Sequence, residues 1–370
     1  MPTQRIDVLH PADLSPTDLQ LWSALRARTA PVANPFMSPE FCQTVGRVRP
    51  GARVAVVRQD GEPAGFFPFE RGRWGRGRAI GLGVSDCQGA VLHPDVHVDP
   101  HQLLRASSLS IWEFNHLESG QDLFLPYATG RFASPVIDLS GGYTHYENLL
   151  RTRSRKFLKS TRAQDRRLGR RVGPLRFVFD ERNPAALRTL VAWKSAQYRR
   201  TGRRDRFAQN WINNLVRILA DTDTPDCSGL LSVLYAGDKP VAAHFGLRSR
   251  TVLSYWFPAY DRDFAQFSPG LVLHLRMIEA AAAIGIEMLD LGRGDAAYKD
   301  SLRTGELTVH EGALLRRSPG AALHWFSREP ARAVRRFVRE RPQLRTAAVH
   351  ILEAVGKTRD RVLPAGESTT

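Results

Sequence analysis

Two stretches far apart in the chain repeat one pattern. VVRQDGEPAGFFPF and SVLYAGDKPVAAHF each read as a strand, an Asp/Gly turn, a proline and a second strand. Asp-Gly between apolar runs is a hairpin signal, and alternation on both sides supports strands. A pattern that occurs twice restricts the fold more than any composition does. We read it as an internal duplication. The competing account is chance similarity between two mixed domains.

The flanking elements repeat in order as well. In the first half, the strand RIDVLHP precedes two helices, PTDLQLWSALRART and SPEFCQTVGRV, with Asp13 or Ser15 as cap of the first. Strands ARVAVVRQ, AGFFPFER and RAIGLGVS follow, and SIWEFNHL closes the set. In the second half, the strand LRFVFD precedes helices NPAALRTLVAWKSAQYRR and FAQNWINNLVRILADT. Three strands follow in meander order: SGLLSVLYAG, PVAAHFGLRS and TVLSYWFPAY. The helix SPGLVLHLRMIEAAAAIG and the short strands MLDLG and LTVHEGALL complete it. We expect an N-terminal domain over 1–140, a catalytic domain over 141–320 and a basic helical tail over 321–370.

Length fits this division, because 370 residues exceed one ordinary core. The three cysteines are scattered singly, against a disulfide framework or a zinc site, and suit a reducing compartment. The opening MPTQRIDVLHPADLSP holds no apolar core of a secretory signal, and no run of about 18 apolar residues exists. The expectation is a cytoplasmic protein without a metal. HPDVHVDPH alternates His and Asp, but its prolines suit a loop better than a rigid ligand set.

Net charge is +16, from 53 basic and 37 acidic residues, so the chain meets anions. Much of the excess lies in RTRSRKFLKSTRAQDRRLGRRVG, either a solvated helix or an anion-binding stripe. The tail sets Val334, Phe337 and Val338 beside Arg335, Arg336, Arg339 and Arg341, a basic amphipathic pattern. Such a tail docks on its own protein or on an anionic membrane surface.

Chemistry concentrates in TVLSYWFPAYDRDFAQFSPGLVLHLRMIEAAAAIGIEMLDLGRGDAAYKDSL. A strand runs through a loop into a helix at Ser268-Pro269-Gly270. Serine can cap the first turn, proline suits its first position, and glycine lets a ligand approach. Free amides and the helix dipole then favour an anion such as phosphate.

Three meander strands, this helix start and a following strand resemble the core of the GNAT acyltransferases. SPG, an apolar helix ending in Gly, LDLGRGD and then YK are similar to the acetyltransferases of cellulose and exopolysaccharide biosynthesis, often called BioF2-like. That family is related to the Fem aminoacyltransferases, which carry two GNAT-like domains and a Gly-x-x-x-Tyr-Lys pattern. The resemblance covers about Pro35 to Leu315. It implies an α/β fold of tandem GNAT-like domains, with transfer from acetyl-CoA or another acyl-CoA, as donor substrate, to an amine or hydroxyl. AQFSPG offers one glycine where the usual phosphate loop has two, which leaves room for another activated acyl donor.

The resemblance assigns donor binding to Ser268, Pro269 and Gly270 and to the strand residues Tyr255, Trp256 and Phe257, with backbone amides from Tyr255 to Pro258 on the thioester carbonyl. Arg293 is a second candidate anion clamp. Tyr298 and Lys299 fall on the Tyr-Lys motif, as the acid for the leaving thiolate and as a cation offsetting phosphate or carboxylate. Asp295 follows a strand end, where sheet enzymes place working groups. Asp290 alternates with Leu289 and Leu291, and a buried carboxylate needs partners. His244 in PVAAHFGL is a candidate base; its apolar neighbours favour a core histidine. Acceptors implied are a saccharide or lipid-linked precursor. A Fem-like use of aminoacyl-tRNA, or a non-enzymatic role on nucleic acid or membrane, is the alternative.

Overall fold

In chain order the first half builds β1 (Gln4–Leu9), α1 (Pro16–Arg28), α2 (Pro39–Val48), β2 (Ala52–Gln59), β3 (Glu62–Arg71), β4 (Arg76–Ala79), β5 (Val91–Leu92), α3 (Pro100–Ala106), β6 (Ile111–Glu118) and β7 (Ala128–Asp138). The second half adds α4 (Gly142–Arg153), α5 (Arg155–Arg171), β8 (Leu175–Val178), α6 (Pro184–Arg200), α7 (Asn210–Ala220), β9 (Ser228–Ala236), β10 (Lys239–Arg248), β11 (Val252–Tyr260), α8 (Pro269–Ala283), β12 (Met288–Asp290), α9 (Ala297–Leu302) and β13 (Gly305–Leu315). The structure is a computed structural model and describes residues 3–28, 33–81, 83–294 and 296–316. The tail expected over 321–370 lies outside the described residues.

Local signals act as the chain predicts. Ser15 Oγ accepts from the Asp18 amide while the Asp18 carboxylate accepts from the Ser15 amide, a reciprocal cap that starts α1. Ser15, not Asp13, is therefore the cap. Ser38 and Asn183 cap α2 and α6, each followed by proline. Asp60 and Gly61 both have positive φ, 52° and 91°, the tight turn that joins β2 to β3.

All strands join one mixed sheet in the order β1-β2-β3-β4-β6-β13-β7-β12-β11-β10-β9-β8, with β5 beside β3. The order reads alike from both ends. Pro63 and Pro240 each take the second position of the third strand in from an edge, β3 and β10. At the centre, β13 lies between β6 and β7, and β7 lies between β13 and β12. Each half thus places its last strand inside the other half's sheet. One apolar cluster also crosses the halves, with Trp22, Phe41 and Phe66 packed together with Leu190, Phe245 and Trp256. Phe36 meets Trp256 edge to face at 5.1 Å.

RAIGLGVS departs from the expected strand, since only Arg76–Ala79 is extended. Gly81 and Gly83 turn the chain with φ of 80° and 78°, and the Gly81 amide donates to Glu70 Oε1. The loop so formed carries Asp86 toward the second half.

Gly312 tests the shared pair. A Cβ there would lie 2.2 Å from the Tyr127 carbonyl oxygen and 2.9 Å from Ala128 Cα, where backbone cannot yield. Gly312→Val should cost about 3 kcal/mol or more. Because both halves use these strands, urea unfolding should stay a single transition with a lower midpoint. Two separated transitions would show that the halves unfold independently.

Candidate active site

β11 has two neighbours of unequal reach. It pairs with β10 from Leu253 to Tyr260, but with β12 only through Val252–Ser254 against Met288–Asp290. Beyond Ser254 the two parallel strands part, and the β12-facing edge of Tyr255–Tyr260 has no strand partner among the described residues. An extra residue in β11, between the pairs Phe245–Phe257 and Leu247–Ser254, bends it at this point. The Trp256 amide turns to His244 Nε2 at 3.3 Å.

The opening is a cavity of about 1000 Å³. Tyr255, Trp256, Phe257, Ser268, Gly270, Arg293, Tyr298 and Lys299 all border it, so most of the candidates converge. Its far wall comes from the first half, with Asp86, Asn115 and His116.

The start of α8 differs from the expected cap. Ser268 is left-handed, φ 49°, and its side chain accepts no first-turn amide. Leu271 and Val272 donate to the Ser268 carbonyl, and Pro269 has no N–H, so among the described residues the Gly270 amide alone of this turn lacks an acceptor. Pro269 is buried and does not border the cavity.

His244 is not in the cleft. Strand alternation turns it into the core, 0% exposed, with its ring flat on Tyr255 at 4.1 Å. Burial holds its pKa well below the usual value. Its Nε2 accepts from the Trp256 amide at the bend of β11. Asp295 lies outside the described residues. Arg293 is engaged as a brace: it stacks on Phe132 at 3.3 Å and pairs with Glu311 at 3.2 Å. Lys299 is only 8% exposed and donates to the Gly292 carbonyl at 2.7 Å. Burial lifts the Tyr298 hydroxyl to about 12, so it keeps its proton at neutral pH. Asp290 is structural: it accepts from the Gly292 amide at 2.9 Å and from Ser134 Oγ at 3.1 Å, tying β12 to β7.

Four groups escaped the sequence reading: Asp86, His116, Lys194 and Arg206. Asp86 reaches the cavity with 23% of its side chain, yet surrounding protein raises its pKa to about 6, with Arg206 and Lys299 pulling the other way. Its Oδ1 stands 3.7 Å from His116 Nε2. Gln88 donates to Asn115 Oδ1, so that oxygen accepts and His116 Nδ1, 3.0 Å away, must be the donor. Burial lowers the His116 pKa to about 4, which leaves it neutral with the Nε2 lone pair toward Asp86. Two acceptors therefore face one point at the cavity wall, a place for a group rich in N–H. Lys194 did carry a signal: Ala186, Leu190 and Lys194 recur every four residues on the buried face of α6.

Comparison with known proteins agrees with this fold. Residues 155–300 match the acetyltransferase (GNAT) domain family. No curated protein matches the chain. Among solved structures, FemX is 12% identical, with 87% of this chain and 100% of that one covered and a TM-score of 0.56. A conserved protein of unknown function from Bacteroides thetaiotaomicron VPI-5482 is 12% identical, covering 82% and 98%, TM-score 0.53. The C-terminal domain of a candidate lysylphosphatidylglycerol synthetase from Agrobacterium fabrum is 14% identical, covering 84% and 95%, TM-score 0.50. At these identities the likeness is one of fold, which is α/β and GNAT-like with a mixed sheet.

The Asp86 shift sets a pH signature. An unfolded Asp loses its proton near 3.8, whereas folded Asp86 keeps it to about 6. Across that window the folded state binds more protons, so Asp86 subtracts stability as pH rises. Asp86→Asn should match the parent near pH 4 and exceed it above pH 6, on the order of 2 kcal/mol. Thermal melts of both proteins between pH 4 and 7 measure this; parallel curves would count against a raised Asp86.

Proposed function

We propose that the cleft transfers an acyl group from a coenzyme A thioester to an amine. The observation that carries this reading is the parting of β11 and β12 beside the start of α8. Open strand backbone at Tyr255–Pro258 suits a thioester arm and a developing oxyanion. The unpartnered Gly270 amide suits a donor phosphate, and a Cβ at Gly270 would meet only Tyr260, at 3.6 Å. In this reading residues 141–320 are the catalytic half, and 1–140 supply the acceptor wall.

The amine arrives as an ammonium between Asp86 and His116. Asp86 takes one proton and passes it to solvent, with a pKa near 6 that suits a base at neutral pH. The free nitrogen attacks the thioester carbon, a C–N bond forms, and the C–S bond breaks as the intermediate collapses. Tyr298 protonates the departing thiolate, and the second proton leaving nitrogen restores Tyr298. Lys299 offsets negative charge in the partly dry cleft. His244 keeps β11 bent. The resemblance to polysaccharide acetyltransferases supports a saccharide or lipid-linked acceptor in cell-envelope synthesis.

A second reading, a Fem-like aminoacyl-tRNA donor, is favoured by α5. Its exposed face carries Arg155, Lys156, Lys159, Arg166, Arg170 and Arg171, while Asp165 pairs with Arg276 of α8. Filter retention of charged tRNA, without coenzyme A binding, would select it.

Calorimetry with coenzyme A tests the first reading. Gly270→Val should weaken binding at least about tenfold with the fold intact, and equal binding would sink the assignment of α8. Lys299→Met should slow release of free thiol from acetyl-CoA, with a panel of amines, about ten- to a hundredfold. Because Lys299 also braces the Gly292 carbonyl, its melting temperature is read alongside. Full turnover in a folded variant would remove Lys299 from the site.

A further inference from the structure

The cavity holds cations for which the transfer step has no use. Lys194 comes from the middle of α6, Arg203 and Arg206 from the loop that follows it, and all three border the cavity. Each is placed differently. Lys194 is 8% exposed, with its ammonium donating to the Pro258 carbonyl at 2.8 Å. Arg206 Nη1 donates to the Gly83 carbonyl at 2.9 Å, which pins the guanidinium to the loop carrying Asp86. Arg203 is exposed at the cavity and forms no ion pair among the described residues.

Asp86 acts electrostatically on Arg206, but the other nearby acids are engaged elsewhere. Asp205 turns back to Ser195 Oγ and the Phe207 amide. Glu311 holds Arg293. Asp86 faces His116, where the transfer reading needs it for the amine. Like charges crowded in a partly dry cavity repel, and the loss of basicity at Lys194, to about 7, reflects burial and then Arg203, Arg206 and Lys299. An incoming anion would relieve this repulsion.

We propose that the acceptor carries an acid group, a phosphate or a carboxylate, which seats on Arg203 and Arg206 beside Lys194. The donor phosphates do not account for this cluster, because Arg206 is tied to the first-half wall that bears Asp86, whereas the donor reading uses the start of α8. A pinned guanidinium with a second one free to swing suits two-point capture of a planar or tetrahedral anion. The substrate class that follows is an amine bearing an acid at a distance, from a small metabolite or a lipid headgroup. The identity of the amine rests on the transfer reading; the anion seat does not.

The experiment is titration of phosphoethanolamine, β-alanine and ethanolamine into the full chain, with and without saturating coenzyme A. The acid-bearing amines should bind at least about tenfold tighter than ethanolamine. Arg203→Gln should erase most of that preference, and Arg203→Gln with Arg206→Gln all of it, with coenzyme A affinity unchanged. Vesicles of phosphatidylethanolamine compared with phosphatidylcholine separate a headgroup from a free metabolite, since only a headgroup acceptor makes the full chain prefer the former. Equal binding of all three amines, or a preference that survives both substitutions, overturns the proposal. Failure of coenzyme A to bind at all, with the acid preference intact, would overturn the donor reading and leave the anion seat standing.

Discussion

Backbone pairing between β7 and β13 is the interaction on which the rest of this protein depends. Eight residue pairs run from Gly305–Val136 to Gly312–Ala128, and each strand is also bonded to the other half's neighbour. These bonds satisfy peptide groups that would otherwise form two sheet edges, and exposed edges invite aggregation. The same pairing sets the distance between the halves. Asp86 and His116 can face the cleft beside Lys299 because the strands between them are in register.

The site inherits its chemistry from where pairing stops. β11 and β12 are paired only as far as Ser254 and Asp290, and Asp290 is itself anchored by Ser134 and the Gly292 amide. Beyond this point a cavity opens without any strand being broken. Its walls differ in character. The α8 side offers backbone and hydroxyl groups, the first-half side offers two acceptors, and α6 with the loop after it offers a set of cations. Burial tunes them in opposite directions, raising Asp86 and lowering His116 and Lys194.

Much of this was legible in the amino-acid order, and the part that was not has a common cause. Hairpins at Asp60-Gly61, caps at Ser15, Ser38 and Asn183, and the loop into α8 are local and follow from a few adjacent residues. Tyr298 and Lys299 were found by motif and do border the cavity. His244 stayed open between a base and the core histidine its apolar neighbours favoured, because alternation says which residues share a face, but not which face is wet; it is buried. Asp86, His116 and Arg206 were invisible because their meeting is decided by strand exchange across most of the chain. Lys194 stood on an apolar stripe at helical spacing, a signal present but passed over.

The exchange of strands also bears on synthesis at the ribosome. β6 and β7 are made early, but the strand between them is residues 305–315, made only after every other described element. The first half cannot close its sheet as it emerges, and domain-by-domain folding is closed to it. Until Leu315 is out, β6 keeps an open edge, and β7 lacks one of its two partners. The nascent chain therefore carries its aggregation hazard from Glu118 until Leu315, roughly half of translation, and folding waits on contacts of very long sequence separation.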